Sequence, residues 1–255
     1  MEMGLRGARV IVTAGAAGIG REIAAAFAEE GARVQVCDVD ADALRSLPPG
    51  VAGAPCDVAD RARAAAFFAA ATAALGRLDV LVNNAGVAGP TAPVEEVADE
   101  DWDRTLAVCL TAQFTFARLA APLLRQSANG SMINLSSQAG RHGFALRTPY
   151  AAAKWGVIGL TKSLSIELGP AGVRVNAILP GIVAGDRQRR VLEAKAQRLG
   201  LSFAEVEARA FSYTSIKDYV TPRQIADQCL FLASPRGRTI SGQCLSVCGD
   251  TRMLA

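Results

Sequence analysis

Short apolar runs and helical segments alternate along almost the whole chain, and this alternation narrows the possible folds more than any other feature. Runs at Arg9 to Thr13, Arg33 to Cys37, Val51 to Cys56, Leu78 to Val82, Ser131 to Leu135 and Val173 to Leu179 have the length and apolar character of strands. Segments with helical patterning separate them: Arg21 to Glu30, Asp40 to Ser46, Asp60 to Leu75, Asp99 to Arg125 and Tyr150 to Leu168. The largely apolar fourth run suits a strand covered on both faces, as parallel strands are. Such alternation predicts an α/β fold, a doubly wound parallel β-sheet of about seven strands with helices on both faces. It also predicts a single domain over residues 1–255 rather than two separate ones.

Composition supports a packed globule, since 51% of the 255 residues are hydrophobic and only 20% are charged. A net charge of +3 is too mild to mark a nucleic-acid or membrane-surface partner. The first residues lack the long apolar core of a signal peptide, and no apolar stretch reaches spanning length without interruption. Six cysteines stand mostly inside apolar runs without Cys-x-x-Cys spacing, so they read as buried thiols of a cytoplasmic protein. With one histidine in the chain, no metal site is expected.

Ligands of doubly wound sheets sit at the carboxyl ends of the strands. Thr13 closes the first run, and Ala14-Gly15-Ala16-Ala17-Gly18-Ile19-Gly20 leads from it into a helix. A strand, a glycine turn and a helix point free N–H groups at a phosphate, and Gly18 and Gly20 let it approach the backbone. Asp38, about twenty residues on, stands where a dinucleotide-binding unit holds the adenosine ribose, with helix capping as the plainer role. A 2′-phosphate there would be repelled, and Ala17 and Val39 supply no cation to offset it. NAD is therefore expected rather than NADP. Asp57 and Val58 could meet the adenine, although Asp57 suits a cap equally well. Asn83-Asn84-Ala85-Gly86 and Pro180-Gly181 end two further strands at the same edge.

Tyr150 and Lys154, four positions apart, share a helix face, where the ammonium favours the phenolate and the pair can move a proton. Ser137, just past the run ending at Leu135, can hold a substrate oxygen. In this order the motifs resemble the short-chain dehydrogenase/reductase family, in its common form of roughly 250 residues. Its carriers are Thr13 through Gly20, Asp57, the Asn-Asn-Ala-Gly run, Ser137, Tyr150-Ala-Ala-Ala-Lys154 and Pro180-Gly181, and they span essentially the whole chain. The resemblance implies a Rossmann-type sheet and hydride transfer between nicotinamide and a secondary alcohol or ketone. It implies Tyr150 as general acid/base, Ser137 as the group orienting the substrate oxygen, and Lys154 as the ligand of the nicotinamide ribose. Thr13, Gly15, Ala17, Gly18, Ile19, Gly20, Asn84, Ala85, Gly86, Pro180, Gly181 and Val183 are its expected cofactor contacts, together with Asp38, Asp57 and Val58.

Four positions depart from the family pattern. Ala14 stands where the family's first glycine is usual, so the turn could begin differently. Cys109 stands where similar enzymes carry an Asn tied to a proton-relay water through its main-chain carbonyl. Gly185 lacks the usual hydroxyl, and Val247-Cys248-Gly249-Asp250 replaces a more usual Asp-Gly-Gly ending. Cys109 reads as structural, because nothing pairs it with a base.

The segment at about 184–221 reads as a lid over the substrate, with a helix through Leu199 and a second around Ala204 to Arg209. It is rich in basic residues (Arg187, Arg189, Arg190, Lys195, Arg198), and Arg141, His142 and Arg147 lie between Ser137 and Tyr150. A solvated face paired with Glu193, Glu205 and Glu207 is the plainer explanation. A polar or anionic substrate such as a sugar acid, polyol or hydroxy acid, held by Gln138, His142, Arg147 or Arg187, is the sharper one. A 3-oxoacyl-thioester reductase is the alternative enzyme, and a cofactor-binding regulator or scaffold without turnover is the alternative of another class. An enoyl reductase fits less well, because the Tyr and Lys of such enzymes are usually spaced more widely. Excess apolar surface on the long helices implies a homodimer or homotetramer.

Overall fold

The computed structural model describes residues 2–254. Seven strands, β1 (Arg9–Thr13), β2 (Arg33–Asp38), β3 (Val51–Pro55), β4 (Val80–Asn83), β5 (Ser131–Leu135), β6 (Arg174–Pro180) and β7 (Cys244–Val247), form one sheet. Their order is β3-β2-β1-β4-β5-β6-β7, and every adjacent pair is parallel. The chain builds outward from β1 to β3, then returns to the centre and builds outward again from β4. That reversal opens a crevice at the carboxyl ends of β1 and β4.

The helices are α1 (Gly18–Glu29), α2 (Ala41–Arg45), α3 (Arg61–Leu75), α4 (Asp99–Leu106), α5 (Ala112–Leu124), α6 (Thr148–Leu168), α7 (Asp186–Leu199), α8 (Phe203–Ser212) and α9 (Pro222–Ala233). Side chains alternate across each strand, so one sheet buries two cores. Val10, Val12, Val34 and Val36 face Ile23 and Phe27 of α1 and Ile225 and Leu230 of α9. Ile11, Leu81, Met132 and Val175 face Phe67 and Phe68 of α3 and Phe116 of α5. Asp40 and Asp60 each accept two backbone N–H bonds at the starts of α2 and α3, so both aspartates stand outside the helices they begin.

The span expected as one regular helix, Asp99 to Arg125, is interrupted by a π turn at Ala107–Thr111. By length and composition Asp99–Leu124 could cross a membrane. Here it is a core helix, burying Phe116, Ala117, Ala120 and Leu124 against the sheet and α3. In the 184–221 segment α7 and α8 pack on each other through Leu192, Ala196 and Val206. A parallel bridge between Val183 and Val220 closes the segment at its base.

Candidate active site

The turn after β1 is held by hydrogen bonds from both neighbouring strands. Thr13 Oγ1 accepts the Asn84 and Ala85 N–H groups, each at 3.0 Å, and Asn84 Nδ2 donates to Thr13 O at 3.0 Å and Ala14 O at 2.9 Å. Gly15 N donates to Cys37 O at 3.0 Å, and a Cβ on Gly15 would stand 2.6 Å from Val36 Cγ1. Ala14 takes a left-handed φ of 50°, so the alanine adopts the backbone that a glycine would adopt more cheaply. Ala17 is the N-cap of α1 and no side chain caps that end. The first N–H groups of α1 are thus left to a ligand, and an added Cβ on Gly18 would meet nothing within 4 Å. The turn fits a pyrophosphate.

Asp38 is nearly buried, and its carboxylate is part of the same turn. Oδ2 accepts Ala16 N at 3.0 Å, while Oδ1 accepts Val39 N at 2.8 Å and Asp40 N at 3.2 Å. The backbone fixes its position before any ligand arrives. Arg21, which sequence reasoning passed over, reaches Ala16 O and Ser46 O from α1, so its guanidinium is engaged by carbonyls. Asp57 neither caps a helix nor stands free: Oδ1 accepts Ala59 N at 3.0 Å and Oδ2 meets Arg104 Nη1 at 2.9 Å. Burial by itself would raise this carboxyl, but the Arg104 guanidinium and the Ala59 N–H outweigh it and hold it below its ordinary value.

At the carboxyl end of β5, Ser137 begins a short 3-10 turn, and its Oγ accepts Ala139 N at 3.1 Å. The hydroxyl proton has no acceptor among the described residues. Lys154 is buried on α6; its Nζ donates to Leu135 O at 2.7 Å and lies 5.6 Å from the centre of the Tyr150 ring. Gly140 lets α6 approach this closely, since a Cβ there would meet Lys154 O at 2.6 Å and Ser136 Oγ at 2.5 Å. Gly181, at the end of β6, is pinned by its N–H on Val247 O at 2.9 Å and faces Cys248 with no room for a side chain.

Cys109 lies in the π turn, a feature that often marks functional sites. Its Sγ accepts Val87 N at 3.3 Å and donates to Val87 O at 3.4 Å. Its carbonyl accepts Gln113 Nε2 at 3.2 Å, and the same amide donates to Leu135 O at 3.1 Å. Gln113 therefore ties the π turn to the carbonyl that receives Lys154. An Asn side chain carries one acceptor and two donors, matching the Val87 pair that the thiol now serves. Cys109→Asn should leave kcat within about threefold of wild type, a difference below 1 kcal/mol; a steady-state collapse with normal folding would give the thiol a role of its own.

Ser137, Gln138, Arg147, Tyr150, Pro180, Gly181 and Arg187 come together around a cavity of about 110 Å³. His142 does not line it; its N–H closes a turn on Gln138 O at 2.9 Å. Arg141 reaches away to Ser246 Oγ and Cys244 O on β7. The cations of the 184–221 segment divide. Arg189 pairs with Glu193 at 2.8 Å and Arg198 with Glu96 at 2.6 Å, whereas Glu205 caps α8 and Glu207 accepts Tyr219 Oη. Arg187 Nη2 reaches from α7 to Gly86 O at 2.7 Å, tying α7 to the turn after β4.

Sequence reasoning did not single out Lys195 as a cavity residue. Gln188, Val191, Leu192 and Lys195 all line the cavity, and their i, i+3, i+4, i+7 spacing was the available signal. Lys195 Nζ lies 4.2 Å from the centre of the Phe144 ring. Burial, and then the nearby Arg147, brings its ammonium down to about 8.

Comparison with known proteins fits this geometry. The D-threitol dehydrogenase of Mycolicibacterium smegmatis is 34% identical, the match covering 96% of this chain and 93% of that protein. The 3-oxoacyl-(acyl-carrier-protein) reductase FabG of Thermotoga maritima is 32% identical over 97% of this chain and 98% of its own. A crystal structure of an actinorhodin polyketide ketoreductase variant with NADPH superposes with a TM-score of 0.89 at 32% identity, covering 95% of this chain and 96% of that one. A family model described as enoyl-(acyl carrier protein) reductase matches residues 14–249. Full-length likeness of this kind, on a seven-stranded parallel sheet with a Tyr-x-x-x-Lys pair at its carboxyl edge, means that the chain belongs to the short-chain dehydrogenase/reductase family.

Proposed function

We propose that this protein is an NAD-dependent oxidoreductase interconverting a secondary alcohol and its ketone, with a polar or anionic substrate. The observation that carries this reading is the meeting of Ser137 and Tyr150 around one cavity, with Lys154 beneath the Tyr150 ring. In this reading the first turn of α1 (Gly18, Ile19, Gly20) and the loop from Gly15 to Ala17 hold the pyrophosphate, and Asp38 holds the adenosine ribose. Asp57 and Val58 border the adenine. Asn84, Ala85, Gly86, Pro180, Gly181, Val183 and Lys154 border the nicotinamide half. The nicotinamide, when bound, gives or takes a hydride.

The chain's own residues handle the proton and the geometry. Ser137 Oγ–H donates to the substrate oxygen and Tyr150 Oη passes a proton to or from it. Two cations lie by the Tyr150 ring, Lys154 Nζ at 5.6 Å and Arg147 Cζ at 5.1 Å from its centre, and their charge would favour a negative charge arising on Oη. Lys154 Nζ is anchored on Leu135 O, so this charge is aimed before the reaction begins.

Asp38 supports NAD over NADP. A 2′-phosphate beside it would place like charges at contact distance, a repulsion of up to about 4 kcal/mol near a protein surface. Wild-type kcat/KM with NADH should exceed that with NADPH by at least about tenfold, or 1.4 kcal/mol. Asp38→Ser should narrow the ratio, and equal use of both cofactors by the wild type would remove the NAD preference while sparing the oxidoreductase reading.

A 3-oxoacyl-thioester reductase is the second reading, favoured by the name of the Thermotoga maritima relative and opposed by Asp38. A panel of sugar acids, polyols, hydroxy acids and 3-oxoacyl thioesters separates the two. NADH binding without turnover across that panel would instead mark a regulator or scaffold. For the assembly, we propose a homodimer or homotetramer through α4, α5 and α6, where Trp102, Phe114 and Trp155 stay 38%, 44% and 51% exposed. We place the protein in the cytoplasm, where the six cysteines would remain thiols.

A further inference from the structure

Arg147 is a cation whose surroundings do not account for it. It is 2% exposed, yet of its three guanidinium nitrogens only Nη2 has an acceptor, Ala88 O. Nε and Nη1 are buried without a hydrogen-bond partner. Burial lowers its hold on the proton, though an arginine stays charged at such sites. Leaving two charged N–H groups dry is costly unless something else satisfies them. The preceding residue, Leu146, has a left-handed φ of 64°, and its carbonyl accepts Ala92 N at 3.0 Å. The loop is thus held in the conformation from which Arg147 enters.

The surroundings supply positive charge and apolar walls. Arg147 lies over both the Phe144 and Tyr150 rings, at 5.4 and 5.1 Å, and Lys195 lies over the other aromatic neighbour, Phe144. Arg187 lines the same cavity, and among the described residues no Asp or Glu does. The cofactor's phosphates do not explain this charge, because no residue of the turn between Thr13 and Gly20 lines the cavity.

We propose that Arg147 is the anchor for a substrate carboxylate, so that the enzyme acts on short hydroxy acids and the matching oxo acids. This rests on the oxidoreductase reading above and narrows it. The guanidinium stands beside the Tyr150 ring, so the acid group and the reacting carbinol share one small cavity. That leaves room for only a few carbons between them. A hydroxyl of an uncharged polyol, or an acyl oxygen, would accept from Nε and Nη1 but would leave the guanidinium charge unmatched.

The test separates anion binding from turnover. Titrating a non-reactive short carboxylate, propionate, and its uncharged counterpart propionamide into the protein–NADH complex gives two affinities by calorimetry. Propionate should bind at least about tenfold more tightly, the usual worth of a charge-assisted hydrogen bond. Arg147→Gln should abolish that difference. Arg147→Lys, which keeps the charge but loses the planar fork, should retain part of it. NADH binding reports that each variant is folded, and Arg189→Gln, which removes a cation paired outside the cavity, should keep the full difference.

Equal affinity for propionate and propionamide in the wild type, or a difference that survives in Arg147→Gln, overturns the proposal. Either result leaves the oxidoreductase reading standing if the protein turns over neutral alcohols. Conversely, propionate selectivity lost in Arg147→Gln supports the anion site even if no member of the panel is oxidised or reduced.

Discussion

Tyr150→Phe should lower kcat by about 10²- to 10⁴-fold, the range contributed by a positioned acid–base group. NADH should still bind within about threefold of wild type, a change below 1 kcal/mol. The substitution removes one oxygen and keeps the ring. That ring carries the packing: Arg147 lies 5.1 Å and Lys154 5.6 Å from its centre, and both cations interact with its face. Lys154 would also remain anchored through Leu135 O. Fold and cofactor site should survive, and the proton would lose its route. Stopped-flow NADH binding and steady-state rates on the same preparation check this. A variant that binds NADH and keeps near-normal turnover would remove Tyr150 from the chemistry.

Most of the sheet was legible because β1 to β6 coincide with largely apolar runs, and strand β5 falls where its run does. The sequence reading had not located β7 and α9. Cys244–Val247 is only four residues long and half-covered, with no apolar run to mark it. The π turn was hidden as well. Ala107–Thr111 keeps helical composition, and only the backbone, with Ala112 N–H donating to Ala107 O, reveals the altered hydrogen-bond register.

In the site, local motifs were readable and long-range pairings were not. Thr13, Asn84 and Gly20 could be named from their runs, but that one hydroxyl receives two N–H groups from the turn after β4 depends on folding. The basic 184–221 segment shows the same limit. Composition grouped Arg187, Arg189, Lys195 and Arg198 together, whereas helix phase and partners on other elements separated them. Arg198 finds Glu96 rather than the glutamates near it in sequence, and Lys195 turns inward. A charge on the apolar stripe of a helix carries more information than a count of charges.

Gly20→Ala should be the most damaging single-methyl change in the cofactor site. A Cβ at Gly20 would stand 2.1 Å from Ala14 O and 2.4 Å from Asn84 Nδ2, and both atoms are already committed to each other. Ala14 cannot readily move aside, since its own φ of 50° is already strained. Asn84 cannot move without giving up Thr13 O. Overpacking and a broken buried hydrogen bond together should cost about 3 kcal/mol or more. In a chain of this size that lowers Tm by roughly 6–12 °C, and NADH affinity should fall more than about tenfold as the N–H groups of α1 lose their aim. Gly18→Ala is the informative contrast. Its φ of 52° is also left-handed, but a Cβ there meets nothing within 4 Å. It should cost only about 1–2 kcal/mol of backbone strain. If thermal melts rank the two variants the other way, backbone conformation governs this turn. If Gly20→Ala is the worse, the second glycine is required for the contact between α1 and the ends of β1 and β4, and the two glycines of one motif meet separate physical demands.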